Sequence, residues 1–243
     1  MTARAALLAL ALLLLTGPAA AQEITIGLGE EGSLTATTVQ LLILVTLLSL
    51  VPGLAIMVTC FPFIVTVLSI LRQAIGLQQS PPNMLIVTLA LFLTYFVMDP
   101  VLTEAWARGV QPLIDGELAL EEAFARTLAP FRTFMAARVE ADTFATLWDL
   151  REIDGPIPAP GPEADLSVLI PSFLLSEIAR AFEIGFLIFL PFLIIDLVVA
   201  AILMSMGMMM VPPAIVSLPF KLAFFVVADG WTLVSEALVR GYF

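Results

Sequence analysis

Long runs of apolar residues, separated by short polar segments, dominate this chain. The first run, residues 39–71, contains no charged side chain. As a single helix it would be about 50 Å long, which exceeds a bilayer core of about 30 Å. Because Pro52-Gly53 and Pro62 interrupt it, the run predicts either one kinked helix or two helices packed together.

A second apolar run, residues 84–98, follows after a short polar loop. It is closed by Asp99-Pro100, where we expect the helix to end, because the residue before a proline disfavours helical backbone. The first and second runs therefore predict a helical hairpin.

The last two apolar runs predict a second hairpin. Residues 166–211 contain Pro171 and Pro191, at which we expect interruptions. Residues 214–243 follow after a pair of prolines. A hydropathy count gives four candidate spans, and the pattern as a whole predicts an all-α fold of membrane-associated helical hairpins.

The segment between the two hairpins has a different composition. Residues 101–165 hold 12 acidic residues and five arginines. Residues 117–150 show helical periodicity, and Pro130 and Asp142 suggest two helices there rather than one. Residues 155–162 are rich in proline and predict a linker. We expect a small, water-exposed helical insert.

The N-terminus has the pattern of a secretory signal. Arg4 precedes the apolar residues 5–15, and Ala19-Ala20-Ala21 gives small residues for cleavage between Ala21 and Gln22. The alternative is an uncleaved first transmembrane helix, for which 11 apolar residues is short against the roughly 20 that a span requires.

These boundaries define the predicted organisation. With a cleaved N-terminus on the periplasmic side, both short loops lie inside and the acidic insert lies outside. In chain order, the predicted parts are a signal peptide (1–21), a polar segment (22–38), a first apolar hairpin (39–102), the acidic insert (103–166) and a second apolar hairpin (167–243).

The composition excludes several classes of function. Sixty per cent of the residues are apolar and 13% are charged, whereas soluble domains average about 45–50% and about 25%. With a net charge of −11, we expect no nucleic-acid partner, because binding a polyanion requires many cations. The chain has no histidine and one cysteine, Cys60. We therefore expect no disulfide, no metal site and no cofactor.

An intramembrane hydrolase is a remote alternative. Asp196 and Asp229 lie on different apolar runs, but Asp229 lies in Ala-Asp-Gly-Trp rather than in the Gly-x-Gly-Asp context of such enzymes. Ser217 and Lys221 are one helical turn apart, without an oxyanion-hole motif beside them. Outside catalysis, Asp196, Lys221 and Asp229 are candidates for a polar network, in which Asp196 and Lys221 could pair across the hairpin.

A cluster of three charges lies earlier in the second hairpin. Glu177 and Glu183 each lie three residues from Arg180, so all three can meet on one helix. Unpaired charges inside a bilayer are costly. The cluster is therefore either an intersubunit network or the lining of a conduit, or it lies on a solvated part of the helix.

Methionine is concentrated near the end of the long apolar run. Five of the ten methionines lie within residues 204–210, directly before Pro212-Pro213. Methionine is flexible and polarisable. At a hairpin tip, several copies could line a deformable apolar constriction; the alternative is that they fill gaps in an apolar core.

Longer motifs occur in both hairpins. They are Leu71-Arg72-Gln73-Ala74-x-Gly76-x-Gln78-x-x-Pro81-Pro82-Asn83, Leu91-Phe92-Leu93-Thr94, Ser176-Glu177, Ala181-Phe182-x-Ile184-Gly185-Phe186, Pro191-Phe192-Leu193-Ile194-Ile195-Asp196-Leu197-Val198-Val199-Ala200, residues 204–213, Ser217-Leu218-Pro219-Phe220-Lys221-Leu222 and Asp229-Gly230-Trp231. Together they resemble the FliP family of flagellar export-gate proteins, over residues 39–98, 170–243 and 130–135.

The resemblance implies a non-enzymatic core subunit of the flagellar type III export gate. It implies a pentamer with FliQ- and FliR-type subunits, beside other membrane proteins of the export apparatus, through whose axis unfolded substrates pass. The assembly would be a helical oligomer in the inner membrane, within the flagellar basal body and largely on the periplasmic side. The resemblance also assigns a pore gasket to Met208, Met209 and Met210.

One departure and one alternative qualify the resemblance. Many family members have a basic residue where this chain has Ala179, which leaves Arg180 alone in its cluster. A gate subunit of a virulence type III secretion system is the alternative. The signal peptide and the size of the insert favour the flagellar branch.

Overall fold

The computed structural model describes residues 34–77, 80–151 and 158–242. The signal peptide and its cleavage site lie outside these residues, as does part of the predicted linker. Within them the structure is helical and contains no strand, so the predicted all-α class is confirmed. The α-helices are α1 (Leu34–Met57), α2 (Phe61–Ile75), α3 (Asn83–Ala105), α4 (Gln111–Ile114), α5 (Leu120–Arg138), α6 (Ala141–Leu150), α7 (Leu166–Ser205), α8 (Pro213–Val227) and α9 (Gly230–Arg240).

Helix α1 begins earlier than the sequence predicts, because residues 34–38 of the expected polar segment are already helical. The chain divides into two compact units after Ser49, inside this helix. Side chains 38–57 are exposed all round and almost entirely apolar. A helix that is apolar on every face requires an apolar environment, which a bilayer provides.

The first apolar run forms two helices rather than one kinked helix. The break lies at residues 58–60, and Pro62 occupies the first turn of α2, where the missing N–H costs nothing. Pro52, in contrast, lies inside α1. Helix α2 is short, but its side chains at helical spacing are fully buried, among them Ile64, Leu68 and Leu71. It is the central core helix of residues 50–243.

Helix α3 does not end at Asp99-Pro100, so that expectation is wrong. It continues to Ala105, through one π-helical turn at Trp106–Val110, and into α4. A proline inside a helix removes one backbone hydrogen bond, and packing against α5 compensates for it. At Gly109 a Cβ would lie 2.7 Å from the Ala123 carbonyl oxygen of α5, so glycine is required for this close approach.

Residues 117–150 of the insert form two helices, as predicted, but Pro130 lies inside α5 and the break lies at residues 139–140. One side of the insert is not water-exposed. Met135 is buried with Phe173 of α7, and the Phe134 and Phe173 rings meet edge to face at 5.8 Å. The insert is therefore anchored on the second hairpin.

Helix α7 is continuous over 40 residues, with Pro171 and Pro191 inside it. The expected interruptions at these prolines are wrong, because flanking turns and packing hold the helix together. Its length is about 60 Å, twice the thickness of a bilayer core. The Asp165 side chain accepts a 3.0 Å hydrogen bond from the Ser167 N–H and caps α7. This bond holds the pKa of the Asp165 carboxyl below its usual value.

Three described helices are long and apolar enough to cross a membrane, and α8 with α9, bent by 62°, could form a fourth span. The second hairpin packs α7 against α8, and α7 also packs closely on α2. At Gly185 of α7, a Cβ would lie 2.4 Å from Ile70 Cδ1 of α2. The missing side chain thus sets the separation of these two helices.

Candidate functional site

Glu177 lies at the centre of a buried polar cluster. Its side chain is fully buried on α7. Arg138 Nε of α5 donates to its Oε1 at 2.9 Å, and the Tyr242 hydroxyl donates to its Oε2. Arg180, on the same helix, lies 3.5 Å from Oε1. Both carboxylate oxygens therefore have strong partners that the sequence did not identify.

Arg138 connects three parts of the chain at this point. Besides Glu177, it donates a 2.8 Å hydrogen bond to the Gly241 carbonyl oxygen. Its guanidinium lies 4.0 Å over the Tyr242 ring centroid, in cation–π geometry. Burial, and then the neighbouring Glu177 charge, raise the pKa of Tyr242, so the phenol remains a donor.

Sequence reasoning missed Arg138 and Tyr242 because neither is local to Glu177. The two contacts span 39 and 65 residues of chain. The available signal was indirect: an arginine ends the first helix of the periodic segment 117–150, and a tyrosine follows the last apolar helix. Those positions identify a candidate for pairing but not its partner.

The predicted three-residue cluster is only partly assembled. Arg180 reaches towards Glu177, and 38% of its side chain is exposed. Glu183 is exposed and has no ion pair or hydrogen bond within the described residues. It lies between exposed Phe182 and Phe186. Glu183 therefore carries an unpaired charge on an apolar face.

Asp196 and Lys221 are brought together across the second hairpin. Lys221 Nζ lies 2.5 Å from Asp196 Oδ2, and the Ser217 hydroxyl donates to Asp196 Oδ1 at 2.5 Å. Lys221 also donates to the Ala74 carbonyl oxygen of α2 at 3.2 Å. The lysine is nearly buried, and the pairing compensates for desolvation of both charges in an apolar hairpin.

Asp229 lies at the bend between α8 and α9. Within the described part of the chain it makes no hydrogen bond or ion pair with Asp196 or Lys221. Its backbone is left-handed, with φ 48° and ψ 48°. Its carboxylate accepts a 3.1 Å hydrogen bond from the Thr232 hydroxyl in the first turn of α9. The geometry is that of a residue that starts a helix after a sharp bend.

The methionines occupy the tip between α7 and α8. Helix α7 ends at Ser205, Gly207 takes a φ of 74°, and Pro213 begins α8. Met208, Met209 and Met210 are 41%, 83% and 97% exposed. They therefore do not fill the core of this chain. An apolar groove of about 520 Å³ lies between α7 and α8 next to this tip, and Met206 and Met208 line part of it.

The fold and these sites define a class: an all-helical membrane protein with ion pairs at Glu177 and Asp196 of its second hairpin and an exposed apolar tip. Residues 44–238 match the FliP family. The match covers most of the chain, which belongs to the FliP family.

Several relatives are similar over nearly their whole length, and each is named flagellar biosynthetic protein FliP. The protein of Caulobacter vibrioides is 50% identical over 97% of this chain and 88% of its own length. The protein of Agrobacterium fabrum is 47% identical over 87% of this chain and 86% of its own length. The protein of Bacillus subtilis is 42% identical over 85% of this chain and 93% of its own length.

Proposed function

We propose that this chain is a core subunit of the flagellar type III protein export gate. In this role several copies assemble into a conduit in the inner membrane, through which unfolded flagellar substrates pass. The observation that carries the proposal is the family match over residues 44–238, together with relatives that share both length and a name in flagellar biosynthesis.

The distribution of exposed apolar surface supports an assembly. Helix α7 is about twice as long as a bilayer core is thick, yet large side chains are exposed along much of it, including Leu175, Phe186 and Ile202. Lipid can cover only about half of that length. Neighbouring subunits are the natural cover for the remainder.

The proposed partners are further copies of this chain, a pentamer by family resemblance, with FliQ- and FliR-type subunits and other membrane proteins of the export apparatus. The proposed location is the flagellar basal body. The acidic insert and much of α7 would lie on the periplasmic side of the membrane, as expected if the predicted N-terminal signal is cleaved.

A role without catalysis fits the way the candidate catalytic groups are engaged. The Asp196 carboxylate is occupied by Lys221 and Ser217, and the Asp229 carboxylate accepts from Thr232. An aspartyl hydrolase needs two carboxylates that share a water, and these two have separate partners.

The methionine tip supplies the proposed seal. A conduit for an unfolded chain must widen around its substrate and close to ions when empty. Rings of flexible apolar side chains can close by excluding water and part when a chain passes. Met208, Met209 and Met210 are exposed at one hairpin tip, so copies around an axis could form such rings.

Complementation tests the proposed function. We expect the chain to restore swimming and flagellin secretion to a strain that lacks its own FliP gene. The matched negative control is the same chain truncated after α6, which lacks the second hairpin. Restored secretion of a virulence effector without flagellin would instead favour the virulence alternative, and no restoration of either would contradict an export role.

A further inference from the structure

The face of α7 that carries Glu183 is an exposed apolar stripe. Its members recur at helical spacing and point away from the packed core: Leu175, Ala179, Phe182, Glu183, Phe186 and Leu187. Four of these six are large apolar side chains that are 48–63% exposed. A single carboxylate in such a stripe is costly unless a cation reaches it.

Arg180 is the described cation that can still bind a further carboxylate, because its own ion pair is long. Every other described cation has a partner at 2.9 Å or closer. The nearest acceptor to Arg180 is Glu177 Oε1 at 3.5 Å, and Arg138 already donates to that oxygen at 2.9 Å. Glu177 is therefore satisfied without Arg180.

Two cations face one carboxylate at the buried end of this cluster. Arg138 and Arg180 face the single carboxylate of Glu177, which leaves one positive charge in excess. Glu183, one turn further along α7, leaves one negative charge. Within one chain Arg180 turns towards Glu177, and Glu183 stays without a partner among the described residues.

We propose that Arg180 of one copy pairs with Glu183 of a neighbouring copy, across a contact formed by this stripe. The proposal rests on the proposed function, which supplies several copies in one membrane. A second copy is the occupant that matches the stripe in both respects: it presents the same apolar side chains, and it offers the opposite charge at the required position.

The pairing also constrains how two copies are arranged. Copies inserted in one orientation place their α7 helices parallel. In register, like charges would face each other across the contact, which is unfavourable. A shift of three residues, about 4.5 Å along the axis, brings Arg180 opposite Glu183.

Disulfide trapping tests the contact directly. Two differently tagged full-length chains, Arg180→Cys and Glu183→Cys, are expressed together in a strain that lacks the native copy, and its membranes are oxidised mildly. A disulfide requires Cα atoms about 4.4–6.8 Å apart. We therefore expect the mixed dimer to exceed either same-position dimer several-fold.

The native cysteine gives a clean background for this experiment. Cys60 is fully buried, and burial raises the pKa of its thiol to about 12, so it is neither exposed nor ionised. The parent chain should form no disulfide-linked dimer under the same oxidation.

Neutral variants test the charge pairing without stranding a charge beside Glu177. Arg180→Gln and Glu183→Gln should each lower the oligomer fraction on native gels by about tenfold, and the double variant by no more than either single change. Additive losses, or no loss, would overturn the pairing, as would mixed dimers no more abundant than same-position dimers.

The parent chain separates failure of this inference from failure of the proposed function. If the parent assembles and exports flagellin but the cysteine pair does not cross-link selectively, the intersubunit pair is wrong and the gate role stands. If the parent neither assembles nor supports export, the proposed function itself fails, and this inference with it.

Discussion

A buried carboxylate needs a cation within reach, and Glu177 obtains its cation from another part of the chain. Arg138 is 14% exposed and lies 2.9 Å away, whereas Arg180 is 38% exposed and lies at 3.5 Å. Coulomb attraction grows as solvent is excluded. Arg138 is therefore the stabilising partner in the folded chain, which leaves Arg180 available at the surface.

Removal of Arg138 is expected to destabilise the fold much more than removal of Arg180. Arg138→Ala leaves a buried carboxylate without its main partner, a loss of about 3–5 kcal/mol. Arg180→Ala removes an exposed, weakly engaged cation, a loss below about 1 kcal/mol. The midpoint of chemical denaturation of the detergent-solubilised protein, followed by circular dichroism, measures both losses.

The matched control removes the stranded charge as well. Arg138→Ala combined with Glu177→Gln should lose less stability than Arg138→Ala alone, because no buried charge then lacks a partner. If Arg180→Ala is as damaging as Arg138→Ala, the cation assignment at Glu177 is wrong.

At the scale of helices, α2 and α7 approach each other closely in the core of residues 50–243. Gly185 of α7 faces Ile70, whose Cδ1, Cγ2 and Cβ atoms would lie 2.4, 3.1 and 3.3 Å from an added Cβ. Isoleucine is branched at Cβ and has little freedom at χ1. It cannot move all three atoms away without a shift of the helix.

Gly185→Ala is therefore expected to destabilise the protein, although alanine is the better helix former by about 1 kcal/mol. Overpacking costs about 1–3 kcal/mol, so the net change should be a loss. Adding Ile70→Val removes the nearest methyl group and should recover part of it. The same denaturation midpoints report the changes.

Gly53 provides the control for this substitution. Apart from the backbone of its own helix and its chain neighbours, no atom of the described residues lies within 4 Å of a Cβ placed there. Gly53→Ala should therefore leave stability unchanged or raise it by up to about 1 kcal/mol. A Gly185→Ala variant as stable as Gly53→Ala would show that α2 and α7 have room to adjust.

At the scale of the whole molecule, the exposed tip gives the proposed gate its most direct test. Replacing Met208, Met209 and Met210 together by alanine should open a leak to small solutes while the oligomer still forms, because short side chains cannot close the axis. Replacement by leucine should keep the seal and reduce export of varied substrates. Solute uptake, native gels and flagellin secretion are measured in parallel.

The tip would have no sealing role if the alanine variant assembles at normal levels and membrane permeability stays unchanged. The matched control is an alanine substitution of another exposed apolar side chain near the tip, Ile215→Ala on the first turn of α8. Ile215 is 70% exposed, so its truncation should neither unfold the chain nor open the axis.

The topology of the whole chain depends on its N-terminus. Arg4, the apolar residues 5–15 and the alanines before Gln22 predict cleavage after Ala21. Intact mass measurement of membrane-extracted protein should give a chain that begins at Gln22. A chain that retains Met1 would contradict cleavage and, with it, the assignment of the insert to the periplasmic side.

The amino-acid sequence by itself determined the class of fold and the family. Continuous apolar runs can form only helices in a bilayer, where every backbone group must be satisfied within the segment. The linear motifs around Asp196 and Lys221 identified the family because they are long and local. Apolar runs and local charge are also local features of the chain, and they predicted two hairpins with an insert between them.

Only the tertiary structure decided whether a helix continues through a proline and which charges meet. Pro100, Pro171 and Pro191 lie within helices, because packing can compensate for one lost hydrogen bond, and local rules do not include packing. Arg138, Glu177 and Tyr242 meet because three segments distant in sequence converge. Pairwise contact at such separation depends on how helices pack, which no local pattern of residues encodes.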